Sequence, residues 1–357
     1  MFSWHRRRGV VAATLLLSTL LAACGSSTSS GISSGTSSGS TCATAKPFKV
    51  AFVPLGPITD KSWTETGYTG LKKAQADLCV TIAFTEQATA VPDAERLARQ
   101  YAQQGNQLVL LHGGQFIAAA QNANKAYPNV WFCVAGAQIQ GDHLCSYDPQ
   151  QQEGSFLAGA LAASMTKTGR LGLVGGFAFP ALTRQLEGFK LGARYVKPDV
   201  KFQEVYINNW DDPAVGKDAG NALIAAGADV LFAATDAAAQ GVFAAAAANG
   251  KLAVASYADQ NSLEPKTIIA SVLYDLSSLV YNTIKLAKEG TLAGQIYPGG
   301  LKQGVGALAF NNALVDQTTQ NKINAIKADI ISGKLKIPST DVLGQVGSSD
   351  KIDPQSL

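Results

Sequence analysis

The residues best suited to chemistry in this chain are carboxylates set beside large aromatic rings. In GPITDKSWTETGY, residues 56–68, Asp60, Trp63 and Tyr68 fall close together. NNWDDP follows the same pattern with Trp210 and Asp211, and Asp236, Tyr257, Asp259 and Tyr274 punctuate later apolar runs. A ring offers a flat apolar wall for stacking, and a carboxylate accepts hydrogen bonds from N–H or O–H groups. Together they suit the capture of a flat, hydrogen-bonding solute in a cleft. Covalent chemistry has less to work with. There is no G-x-S-x-G elbow, no P-loop and no GxGxxG fingerprint, and GGFAFP lacks the dinucleotide spacing. No cysteine pair has CxxC spacing, and only His112 and His143 follow the N-terminal segment, so neither a zinc site nor another cofactor is expected. A glycosidase-like pair of cleft carboxylates is the remaining enzymatic alternative.

These residues sit at the ends of repeated elements. From Lys46 onward, short apolar runs alternate with amphipathic segments, the pattern of βα units and parallel sheets. Strands are expected at 49–54, 80–85, 108–111 and 131–135, with helices around 63–76, 92–104 and 115–126. The second half repeats the order, with strands at 171–176, 202–207, 230–234 and 253–257. One constant offset carries Val50 onto Gly172, Val80 onto Phe202, Val109 onto Leu231 and Trp131 onto Ala253. It also carries Gly70 onto Gly192 and Gly105 onto Gly227. Two α/β lobes are therefore expected. Ligands of open parallel sheets bind beyond the carboxyl ends of the strands, where Asp60, Trp63, Tyr68, Gly114, Trp210, Asp236, Tyr257 and Asp259 all fall. Asp212 before Pro213 reads as a helix N-cap, and His112 as a structural histidine.

The N-terminus sets the compartment. Arg6, Arg7 and Arg8, an apolar run from Val10 to Leu21 and the sequence LAAC read as a signal peptide over 1–23, with Cys24 as the lipidated residue of a bacterial lipobox. The Gly/Ser-rich stretch completing 24–45 reads as a flexible tether. Removing three arginines from a formal charge of +3 leaves a neutral chain, which argues against nucleic acid as a partner. Cys42, Cys79, Cys133 and Cys145 remain, an even number suited to two disulfides in an exported protein. Strand order favours Cys42–Cys79 and Cys133–Cys145, since sequential strands usually lie side by side.

Six segments in series carry a resemblance: DKSW, EGSFLAGALAASMTKTGRLGLVGG, GFKLGARYVKPDV, NNWDDPAVGK, AAGADVLFAATD and SVLYDLSSLVYNTIK. They resemble, in order, the basic membrane protein (BMP) family of ABC transporter substrate-binding lipoproteins, the purine nucleoside receptor group, over residues 46 to about 345. The resemblance implies a type I periplasmic binding protein, two Rossmann-like lobes with parallel sheets and a three-segment hinge. Lobe 1 would take 46–149 plus 275–297, lobe 2 150–274 plus 298–345, and 346–357 would form a tail. It implies a monomeric, extracytoplasmic, membrane-anchored receptor that performs no catalysis and delivers a purine nucleoside or nucleobase-like heterocycle to permease subunits. Stacking would fall to Trp63 or Tyr68 and to Trp210, with Asp60 and Asp259 at the family's acidic positions. Three positions depart from the family: Thr64 replaces an Asn, Tyr257 an acid that faces ribose hydroxyls, and Tyr274 a Lys. These changes leave room for a free nucleobase, with Asp236 reading a ring N–H. The alternatives are a sugar or flavin-type ligand, a receptor for a signalling partner and a cleft hydrolase.

Overall fold

The computed structural model describes residues 47–357. The signal peptide, Cys24, the tether and Cys42 lie outside the described residues, and with Cys42 the expected Cys42–Cys79 bridge.

Two six-stranded sheets organise the chain. The first contains β1 (Lys49–Pro54), β2 (Thr81–Phe84), β3 (Leu108–His112), β4 (Trp131–Ala135), β5 (Leu144–Pro149) and β11 (Ile296–Gly299). Its order is β11-β5-β4-β3-β1-β2, with every pair parallel. The second contains β6 (Arg170–Gly175), β7 (Lys201–Tyr206), β8 (Val230–Ala234), β9 (Leu252–Tyr257), β10 (Ile268–Tyr274) and β12 (Gly306–Phe310), in the order β12-β10-β9-β8-β6-β7. Here β12 runs antiparallel to β10, a departure from the expected all-parallel sheets. The central strands β3 and β8 are buried at every position, as in sheets covered by helices on both faces.

Sequence pattern accounts for the helices. α1 (Trp63–Leu78) and α2 (Val91–Gln103) flank the first sheet with α3 (Ile117–Ala126), and α2 buries Ala94, Leu97, Ala98 and Tyr101 at helical spacing. α5 (Pro180–Val196), α6 (Pro213–Ala225) and α7 (Ala239–Ala248) are their counterparts. The Asp212 carboxylate accepts from the Ala214 N–H at 2.8 Å with Pro213 at the first helical position, which fixes where α6 begins. The 3₁₀ turn Gly114–Phe116 precedes α3 and the turn Asp236–Ala238 precedes α7, so the internal repeat makes Gly114 and Asp236 equivalent.

The chain changes sheets three times. It leaves the first after Pro149 through α4 (Gln151–Met165) and returns after Tyr274 through α8 (Leu276–Lys288) to β11. It leaves again after Gly299, β11 keeping Pro298 and Gly299 in the first sheet. α9 (Gln317–Ser332) and α10 (Thr340–Leu343) complete the second lobe, and the last residues pack on α5, where Glu187 accepts from the Gly347 and Ser349 N–H groups. Cys133 and Cys145 face each other on β4 and β5, with Cα atoms 4.5 Å apart, and form a disulfide.

Candidate functional site

In each sheet the first strand lies between the second and third, which opens a crevice beyond its carboxyl end. The two crevices face one another. Together they border a narrow cavity, in which about 20 Å³ is open to the centre of a water molecule. Trp63 and Gly114 line it from the first lobe, Phe179, Trp210, Asp236 and Tyr257 from the second, and Gln151 from the first crossing.

Each wall is held from behind. The Trp63 Nε1–H donates to the His112 carbonyl at 3.2 Å, and the His112 ring lies 5.1 Å from the Trp63 ring. Burial pushes the His112 imidazole down to about 4, so it is neutral at pH 7. Because the Trp63 carbonyl can only accept, the His112 Nε2–H donates to it at 3.1 Å and the Tyr147 hydroxyl donates to Nδ1 at 2.9 Å. A Cβ on Gly67 would lie 2.4 Å from His112 Nε2, so this packing requires glycine there. In the other lobe the Trp210 ring lies over the backbone of Gly176, where a Cβ would approach it to 2.1 Å. Phe177 and Phe179 flank that ring at 5.4 and 6.2 Å.

Carboxyl groups and one amide oxygen supply the polar lining. Asp236 is 4% exposed, and its Oδ1 accepts from the Ser62 hydroxyl at 3.2 Å across the lobes. Burial pushes its carboxyl well above the usual carboxylate range, and the Asp60 and Asp211 carboxylates add to the shift. Asp60 begins α1 by accepting from the Ser62, Thr64 and Glu65 N–H groups, yet burial still raises its pKa. Burial also raises that of Asp211, whose Oδ1 lacks a partner, and both carboxylates border Gly56. Gln151 is 3% exposed with Oε1 unpartnered in the cavity wall. Among the described residues, no lysine or arginine lines the cavity. A buried acceptor without a donor is costly, so the arrangement favours a guest that brings N–H or O–H groups to a flat apolar slot.

The family described as ABC transporter substrate-binding protein, PnrA-like, matches residues 48–341. The chain belongs to this family, abbreviated Bmp. A purine-binding protein of Brucella abortus is 29% identical over 318 residues, covering 87% of this chain and 89% of that protein. The transcriptional activator protein med of Bacillus subtilis is 26% identical over 282 residues, covering 78% and 88%. An ABC transporter solute-binding protein from Aeropyrum pernix superposes with a TM-score of 0.74 at 23% identity, covering 82% of this chain and 94% of that one. The chain is thus an ABC transporter substrate-binding protein of the Bmp family, and the family points to binding rather than catalysis.

Within this Bmp-family fold, Trp63, Gly114, Trp210, Asp236 and Tyr257 meet at the cavity, and Asp60 stands beside Asp236. Tyr68 does not line it; its ring packs against Phe84 at 5.1 Å, because its place on α1 turns it toward β2. Asp259 and Tyr274 border a second cavity. The Asp259 carboxylate accepts from the Asn261 N–H at 3.0 Å, and the Tyr274 hydroxyl donates to the Gln151 carbonyl at 2.8 Å. Sequence reasoning did not single out Gln151 or Phe179. Both follow strand ends, Phe179 inside GGFAFP and Gln151 just after β5, which is the signal that could have found them.

Proposed function

We propose that the protein is the extracytoplasmic receptor of an ABC importer, anchored through a lipid on Cys24. It captures a purine nucleoside or nucleobase-like heterocycle between its lobes and hands it to the permease. The observation that carries this reading is the slot walled by Trp63 and Trp210 and edged by Asp236 and the unpartnered Gln151 Oε1. Stacking on each ring adds about 0.5–1.5 kcal/mol beyond burial, and a ring N–H would satisfy Asp236. Contacts to both lobes give the ligand its preference for the closed form, which is what shifts a hinge equilibrium.

A thermal-shift panel of nucleosides, nucleobases, flavins and sugars tests the ligand class. Saturating ligand raises stability by about 2.7 kcal/mol at a hundred times Kd, so a binder shifts the midpoint by several degrees. Shifts from purine compounds support the reading, and shifts from sugars alone overturn it. The kinship with a transcriptional activator favours a second reading, a sensor whose closed form engages a signalling partner. Permease and ATPase genes beside this one favour transport.

A further inference from the structure

We infer that Gln185, which lies behind the cleft wall, is a positioning residue that holds the Gln151 side chain with its oxygen toward the ligand, so that the cleft selects a heterocycle with a hydrogen-bond donor at that point. This inference rests on the proposed heterocycle site and says how that site chooses between heterocycles of the same shape.

An amide side chain has two faces: rotated by half a turn, it offers NH2 where it had offered oxygen. A glutamine free to turn accepts either partner and selects neither. Gln151 is not free. Its Nε2 donates to Gln185 Oε1 at 3.3 Å, which leaves its own Oε1, without a partner among the described residues, in the cavity wall. A Cβ on Gly136 would stand 3.5 Å from the Trp63 ring and 4.0 Å from that oxygen, so the acceptor lies beside the Trp63 wall. The Tyr274 hydroxyl donates to the Gln151 carbonyl at 2.8 Å and anchors the backbone of this residue.

The direction of Gln185 is set in turn by a group that has no choice. The Ala233 carbonyl can only accept, and the Ser256 hydroxyl donates to it at 2.8 Å. With its proton so placed, Ser256 Oγ accepts from Gln185 Nε2 at 3.4 Å. Gln185 Oε1 then faces the cleft side, where it accepts from the Tyr257 hydroxyl at 2.9 Å as well as from Gln151. Turning Gln151 over would set its oxygen against Gln185 Oε1, two acceptors with no proton between them. All four side chains are buried, where such a mismatch is costly. The scaffold around the two amides is fixed as well. Arg184, the neighbour of Gln185 on α5, pairs with Asp148, three residues before Gln151.

Calorimetry with adenine and hypoxanthine, and with adenosine and inosine, tests the inference, because the members of each pair match in shape and reverse the order of donor and acceptor along one edge. In at least one pair the wild type should prefer one member by ~10-fold or more, as when a buried hydrogen bond is exchanged for two opposed acceptors. Gln185→Leu frees the Gln151 amide and should cut that preference at least ~5-fold. In a Gln151→Met background, where the preference is already reduced, Gln185→Leu should change it no further. A further change there means that Gln185 acts by another route, and overturns the inference. A residue that only supports the fold would weaken both members alike, so a folded Gln185→Leu with its preference intact also overturns it. So does a Gln151→Met protein that keeps the full preference, an arm that needs no change at Gln185. A wild type that binds these compounds but discriminates less than ~10-fold overturns the inference and leaves the heterocycle site standing. Failure of the wild type to bind any of them overturns both the inference and the heterocycle reading.

Discussion

Charges meet across the two lobes in two places, and the two meetings have opposite character. At the first crossing, Asp148 at the end of β5 is fully buried against Arg184 of α5. The guanidinium engages both carboxylate oxygens, the Pro149 carbonyl and the Thr340 hydroxyl, while Gln138 and Gln150 donate to the same carboxylate. In the cleft, Asp60 of one lobe meets Asp211 and Asp236 of the other, and among the described residues no cation lines the cavity and Asp211 Oδ1 and Gln151 Oε1 have no protein partner. Opposite charges with nearly saturated hydrogen bonding hold the hinge side together. Crowded carboxyl groups and acceptors without a protein partner suit the cleft to a donor-bearing ligand.

The largest expected effect tests the hinge side. Arg184→Met leaves the Asp148 carboxylate buried without its cation and should lower unfolding free energy by about 3–5 kcal/mol in chemical denaturation. Adding Asp148→Leu should recover much of that loss, because an apolar replacement removes the stranded charge. If the single variant is as stable as the wild type, the pair is not what distinguishes the hinge. In the cleft, Trp210→Ala should weaken binding of any flat ligand by roughly ten- to a hundredfold, combining lost stacking with lost burial. Unchanged affinity in calorimetry removes Trp210 from the site.

Asp236→Asn probes the like-charge cluster through pH. The folded-state pKa of Asp236 is raised above its usual 3.8, so its contribution is fully present below that pH and is lost as pH rises toward the raised value. Stability of the ligand-free protein attributable to this group therefore falls with pH across that window. His112, pushed down to about 4, has the opposite slope between there and 6.5. The wild-type minus variant difference removes the His112 contribution. That difference should fall as pH rises, and a flat difference shows that Asp236 does not resist ionisation. The smallest effect is expected for Gln151→Met, which removes one unpartnered acceptor. Loss of one hydrogen bond worth about 1 kcal/mol should weaken ligand binding about fivefold, and an unaltered Kd places the ligand away from Oε1.

The two regions were unequally legible in the sequence. The cleft side was readable because its residues are punctuation: Trp63, Gly114, Trp210, Asp236 and Tyr257 all follow apolar runs that form strands. The repeat offset even places the turn before α7 where the turn before α3 predicts it. The Asp212 cap and the Cys133–Cys145 bridge followed from local rules. The hinge side was silent. Arg184 in ALTRQLEGF looks like the solvent face of a helix, and only docking of β5 and α10 on α5 buries it. β12 pairs antiparallel to β10 because the last crossing enters the sheet from the other end, a fact set by the fold and absent from local periodicity. Tyr68 was ambiguous for a similar reason, since a ring one turn into α1 could face the cleft or the sheet until the orientation of the helix is known.

The central claim is that the two-tryptophan slot takes a flat donor-bearing heterocycle. Calorimetric titration of purine bases and of glucose into the wild-type protein and into Trp63→Ala/Trp210→Ala tests it most directly, with circular dichroism confirming that the variant is folded. The account predicts one-to-one binding of at least one base by the wild type, no binding of glucose, and loss of base binding in the folded double variant. Binding of glucose alone, or base binding that survives loss of both rings, would contradict it.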